Sequence, residues 1–136
     1  MTKRIKSLPI RKTSRPSVEA PRVDYNSLKP IFSFRHMQYG SRHCLSQCCQ
    51  DDKSCVADTL LQLSQFTWNQ ITSLRRQKLG FEHIPRKQFN AILPPFITPD
   101  VEKLTVFRYS KAGRIAGMRI NDVYHILIVG ADIYPH

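Results

Sequence analysis

Apolar and polar positions alternate through most of residues 31–37, from Ile31 and Phe32 to His36 and Met37. That period predicts a first strand. Residues 38–52 are polar and carry no period, so they read as a loop. Over residues 53–66, Val56, Ala57, Leu60, Leu61 and Leu63 recur at helical spacing. Asp51 or Asp52 is placed to cap that helix and to complement its dipole. A second helix is predicted from Thr67. Thr67 with Gln70 fits a capping box, and Phe66 before the cap suits a hydrophobic staple. Trp68, Ile71 and Leu74 form its buried stripe, and Gly80 is a stop signal.

The C-terminal quarter holds three strand-like runs, at 104–109, 114–120 and 123–129. Ser110, Lys111, Ala112 and Gly113 break the first from the second. Asn121 and Asp122 break the second from the third. Tight polar breaks between β-rich runs predict an antiparallel meander. The third run lacks clean alternation, which predicts a central strand covered on both faces. Residues 81–100 are the least regular, with Pro94, Pro95 and Pro99 enforcing an extended path. A connection of that length without regular structure is often functional. The predicted fold class is therefore α+β: a small antiparallel sheet, built from strand, two helices and three-stranded meander, with the helices packed on one face.

Charge adds a partner class. The chain has 136 residues, room for one small domain, and a formal net charge of +11. Residues 1–30 hold eight basic and two acidic side chains, a balance of +6. Four prolines there argue against a helix, and few apolar residues offset ordering, so a disordered basic tail is expected, followed by a single domain over 31–136. Such a balance points to RNA, DNA, a ribosome or an acidic protein as partner. No run approaches the roughly 18 apolar residues of a membrane span. Basic residues without an apolar h-region make a secretory signal unexpected, and the cysteines are expected reduced in the cytoplasm.

Two constellations could carry chemistry. Cys44, Cys48, Cys49 and Cys55 sit close in sequence with His36 and His43. They offer one knuckle, Cys44 with Cys48, and no second one, so neither a metal nor another cofactor is expected. A zinc-bound interaction module would require Cys44, Cys48 and Cys55 to converge. The second constellation is Glu82, His83, Arg86 and Lys87 after the helices, with Arg108, Arg114, Arg119, His125, Tyr134 and His136 from the C-terminal quarter. Metal-independent RNA cleavage needs a base for the ribose 2′-OH, cations for the phosphorane and an acid for the leaving oxygen. Carboxylate, guanidinium and imidazole can fill those roles. Arg75, Arg76, Lys78, Arg86, Lys87, Arg108 and Arg119 are the candidate RNA-binding cations.

The order of elements, Gly113–Arg114–Ile115 before an apolar run, Tyr134–Pro135–His136 at the end, and Glu82 after Gly80 resemble the RelE/ParE toxin superfamily over residues 31–136. The resemblance implies a small basic endoribonuclease acting on translated mRNA, held by a cognate antitoxin. It implies Glu82 as base, Arg114 as stabiliser of transition-state charge, His136 as acid and Tyr134 as a substrate-orienting group. The basic tail, the cysteine loop and the Pro-rich connection depart from that pattern. Trp68-x-x-Ile71, Leu79–Gly80-x-Glu82 and Gly113–Arg114-x-x-Gly117-x-Arg119 also look like a family of small uncharacterised bacterial proteins, which implies no activity. The alternative from another class is a non-catalytic nucleic-acid-binding or regulatory protein of a mobile element.

Overall fold

A computed structural model describes residues 22–74 and 81–136. Most of the basic tail expected over 1–30, and the expected helix stop at Gly80, lie outside the described residues. The fold is α+β. Strands β1 (Ile31–Ser33), β2 (Glu82–Pro85), β3 (Lys103–Arg108), β4 (Arg114–Ile120) and β5 (Val123–Gly130) form one five-stranded sheet in the order β1-β5-β4-β3-β2. Helices α1 (Gln50–Leu63) and α2 (Trp68–Leu74) lie between β1 and β2 in the chain. The meander is present as β3, β4 and β5.

The sheet is mixed, which corrects the expected all-antiparallel sheet. β1 runs parallel to β5, with Phe32 opposite Tyr124. The helical pair carries the chain from one edge of the sheet to the other, as parallel and long-range pairings require. β2 adds a strand within the stretch expected to be irregular, and it pairs antiparallel to β3. As an edge strand it accommodates Pro85, whose missing N–H costs no ladder bond there.

Both faces of the sheet are covered. On one face Phe107, Ile115, Tyr124, Ile126 and Val129 pack with Val56 and Leu63 of α1 and Trp68 and Ile71 of α2. On the other face Leu104, Val106, Ala116, Leu127 and Ile128 pack with Ile97, Ile133 and Tyr134, and with the half-buried Phe89, Leu93 and Phe96. The Pro-rich segment and the C-terminal residues thus form a third layer. β5 has no clean alternation for two reasons: it is buried on both sides, and its register to β4 shifts at Ala116/Gly117. The shift is a bulge that puts both Leu127 and Ile128 against the third layer.

α1 begins at Gln50, earlier than expected. Its N-cap is Cys49, with no side-chain cap bond, so Asp51 and Asp52 lie in the first turn and complement the dipole without capping. Val56, Thr59 and Leu63 form its buried stripe, while Ala57 is exposed and Leu61 is 61% exposed. At α2 the capping box forms: the Thr67 N–H donates to Gln70 Oε1 at 2.8 Å and the Gln70 N–H to Thr67 Oγ1 at 3.2 Å. Contacts with the domain start before residue 31. Tyr25–Ser27 make a 3-10 turn capped by Asp24, and Leu28 O accepts from the Trp68 N–H at 3.0 Å. No helix among the described residues is long and apolar enough to cross a membrane.

Candidate functional site

The register of the sheet decides which predicted residues meet. Arg108 on β3 and Arg114 on β4 are directly opposite. Glu82 on β2 is opposite Val106, one alternation from Arg108. Val106 and Ala116 pack in the third layer, so Glu82, Arg108 and Arg114 share the face turned away from the helices. With strands about 4.8 Å apart and about 3.3 Å per residue, the Glu82 and Arg114 Cα atoms stand about 12 Å apart.

Arg114 is only 6% exposed. Its Nη1 donates to Ser110 O at 3.3 Å, Lys111 O at 3.1 Å and Gly113 O at 3.0 Å, so the guanidinium closes the β3–β4 turn. The Nε atoms of Arg108 and Arg114 are buried with no hydrogen-bond partner. Among the described residues neither arginine is ion-paired. Like charges directly opposite repel, and no carboxylate among the described residues bridges this pair.

The C-terminal residues reach the same turn. His136 Nε2 lies 2.9 Å from Ala112 O and its Nδ1 2.8 Å from Tyr134 O. Both partners are backbone carbonyls, which only accept, so a neutral ring can donate to one of them at a time. Tyr134 is 4% exposed, with its ring 5.4 Å from Phe89 and 4.9 Å from His136. Its place is in the third-layer core, a packing role where a rim position was expected. Arg108, Arg114 and His136 therefore gather at one turn, with Glu82 half-buried one row away.

Arg86 and Lys87 follow β2 at the edge of the sheet. With Lys103 they rim an open groove of about 820 Å³, floored by Phe89, Leu93 and Val101. Arg86 ties the groove wall to the Pro-rich segment, donating to Thr98 O and, at 3.4 Å, to Ile97 O. Lys87 and Lys103 are exposed, and Glu102 is the acid at the rim. Arg119 is on the helix face, opposite Tyr124. It donates to Asn121 O and Asn26 Oδ1, both at 2.6 Å, and lies 4.3 Å over the Trp68 ring. Burial pulls its guanidinium below the ordinary arginine value, with Asp122 opposing. Arg75, Arg76 and Lys78 lie outside the described residues.

Three arrangements escaped the sequence. His36 stacks on Phe96 with centroids 3.7 Å apart, and His125 lies 5.0 Å from His36. Burial, then His36 and Arg35, hold the His125 imidazole below its ordinary pKa, and its Nδ1 is buried without a partner. His43 Nε2 lies 3.0 Å from Asp132 Oδ1, and Arg42 Nη2 lies 2.7 Å from Asp132 Oδ2. The third is the groove floor, where Phe89 was not marked by any motif. The four cysteines are free thiols. Burial raises the Cys44 thiol, but the hydrogen bonds from Ser46 outweigh it and leave the pKa lowered. Among the described residues no group of three or more His, Cys, Asp or Glu side chains gathers as a metal site.

No family model matches the chain, and no curated protein or solved structure matches it either.

Proposed function

We propose that the chain binds single-stranded RNA in the open groove beside the β2 edge of the sheet. The observation that carries this reading is the groove rimmed by Arg86, Lys87 and Lys103 over an apolar floor containing Phe89. A single strand offers phosphates to such a rim and flat, sequence-tolerant base faces to such a floor. The net charge of +11 adds a long-range, salt-sensitive attraction. The test is anisotropy of a short fluorescent RNA titrated at several salt concentrations. The double variant Lys87→Ala, Lys103→Ala should weaken binding and flatten the salt dependence by about 0.7 in log–log slope for each phosphate left without its cation. Unchanged affinity and slope would refute the groove as the RNA site.

The second reading is metal-independent cleavage of translated mRNA, in the manner of the RelE-type toxins that the sequence resembles, with an antitoxin as protein partner. The shared face of Glu82, Arg108 and Arg114 favours it, with His136 at the adjoining turn. Growth arrest on induction, with new 5′ ends in the host mRNA, is its expected outcome. Normal growth with intact mRNA would leave the binding reading alone.

A further inference from the structure

The row of positions that contains both arginines continues beyond them. Arg108 is opposite Arg114, and Arg114 is opposite Gly130. A Cβ placed on Gly130 would lie 3.3 Å from His43 Cδ2, so the edge of the His43 ring borders the space a side chain there would need. Two strand steps of about 4.8 Å each separate the Arg108 and Gly130 positions, so two arginine backbone positions and the Cδ2 edge of an imidazole share one row, with the Arg114 guanidinium turned back onto the β3–β4 turn.

The ring is held from several sides. Its Nε2 faces Asp132 Oδ1 at 3.0 Å, and Asp132 Oδ2 takes Arg42 Nη2 at 2.7 Å. Asn90 Nδ2 donates to Asp132 O at 3.4 Å, and the His43 carbonyl accepts from the Val129 N–H at 2.9 Å. The bond from His43, with Arg42 adding, holds the Asp132 carboxyl below the ordinary range. An ionised carboxylate only accepts, so Nε2 carries the ring proton, and in the neutral ring Nδ1 is a lone-pair acceptor. Nδ1 has no hydrogen-bond partner among the described residues and is not fully enclosed, on a side chain that is 10% exposed. His43 lines a cavity of about 260 Å³ with Gln38, Ser41, Arg42, Asn90 and Ile92.

We propose that His43, oriented by Asp132, is a general base that takes the proton of a ribose 2′-hydroxyl of RNA seated in this cavity. The proposal rests on the RNA reading above and assigns the base to His43 where the resemblance implied Glu82. The 2′-OH proton passes to Nδ1 and the 2′ oxygen forms a bond to the adjacent phosphorus. The bond from phosphorus to the 5′ oxygen breaks, and that oxygen leaves with a proton from water. The products are a 2′,3′-cyclic phosphate and a 5′-hydroxyl, and His43 returns its proton to solvent. Asp132 is a positioning residue, since it acts through the imidazole.

The experiment uses the full chain with RNA both free and in a cell-free translation reaction, alongside the binding titration and a thermal melt of each variant. Wild type should cleave and leave cyclic phosphate ends. His43→Gln should lower the cleavage rate by about 100-fold or more, a typical general-base contribution, with RNA affinity and melting close to wild type. Asp132→Asn should lower the rate by a smaller factor and change the shape of the pH–rate profile, which a packing role alone would not do. Should His43→Gln fail to fold, the Asp132→Asn pH profile decides. His43→Gln cleaving at the wild-type rate would overturn the proposal, as would an Asp132→Asn profile identical to wild type. RNA bound but never cleaved would overturn it and leave the binding reading intact. RNA neither bound nor cleaved would overturn both.

Discussion

Replacing Trp68 by alanine should nearly exhaust the stability of this domain. Trp68 is 1% exposed and lies between α2 and the sheet, its ring 6.3 Å from Tyr124. Truncating a buried Trp costs about 3–5 kcal/mol through reduced burial and the cavity left behind. Two polar interactions go with the ring. Its Nε1–H donates to Asp122 O at 3.1 Å, and the Arg119 guanidinium sits 4.3 Å over it. The cation–π contact adds about 0.5–1 kcal/mol. Asp122 O also accepts from the Ile31 N–H at 3.0 Å, so it is not orphaned when the indole goes. The cost of the missing hydrogen bond is therefore the ordinary net value of about 1 kcal/mol. Together Trp68→Ala should cost about 4.5–7 kcal/mol against a total of about 5–15 kcal/mol for a domain of this kind. Trp68→Phe keeps most of the buried ring and should cost distinctly less. Urea unfolding followed by circular dichroism measures both. A destabilisation below about 2 kcal/mol for Trp68→Ala would refute the packing argument, because it would mean that the helix–sheet layer closes over the cavity.

Gly117→Ala should destabilise by about 2 kcal/mol or more, since a Cβ there would lie 2.0 Å from the His125 carbonyl oxygen across the bulge; an unchanged urea midpoint would show that the strands can part there. Asp132 makes acid stability the next test. Its folded pKa is depressed, so its contribution is present above the unfolded carboxylate value of about 3.9 and disappears as pH falls through the lower folded value. Asp132→Asn should remove that part of the acid unfolding curve, and superimposable curves would show that the His43 and Arg42 contacts do not form in solution. Finally, a chain starting at residue 31 should melt several degrees below one starting at residue 22, because it lacks the Leu28 carbonyl that accepts from Trp68 and the Asn26 side chain held by Arg119. Equal melting temperatures would place the edge of the cooperative unit at residue 31.

The features legible in the sequence are those set by near neighbours. The Thr67–Gln70 box is a spacing of three residues, and it forms as read. The meander is likewise local, since each of its breaks holds only a few polar residues. β1 was visible as a strand, but its partner was not. Parallel pairing with β5 joins residues 92 apart, Ile31 with Val123, and no period within either strand encodes it. β2 was hidden because its four residues, Glu82 to Pro85, are too few to show alternation and end in a proline. The faces of α1 were blurred by Leu61 and Ala57, apolar residues that extend the apparent stripe beyond the side that meets the sheet.

Chemistry was harder to read than fold for the same reason taken further. Arg114 was singled out by its place at the head of a strand, and that place is also what turns its guanidinium back onto the β3–β4 turn. His136 stands out in the sequence as a terminal imidazole, yet the carbonyls of Ala112 and Tyr134 face its two nitrogens. In the sequence His43 stands out only as the neighbour of Cys44, because its carboxylate partner is 89 residues away. A titratable side chain becomes a candidate for proton transfer when one of its atoms is fixed and another is left open. His136 has a backbone carbonyl facing each nitrogen, whereas His43 is fixed at Nε2 and has no partner at Nδ1 among the described residues. That difference lies in tertiary contacts across β5 and the loop before α1, so spacing along the chain could rank neither residue above the other.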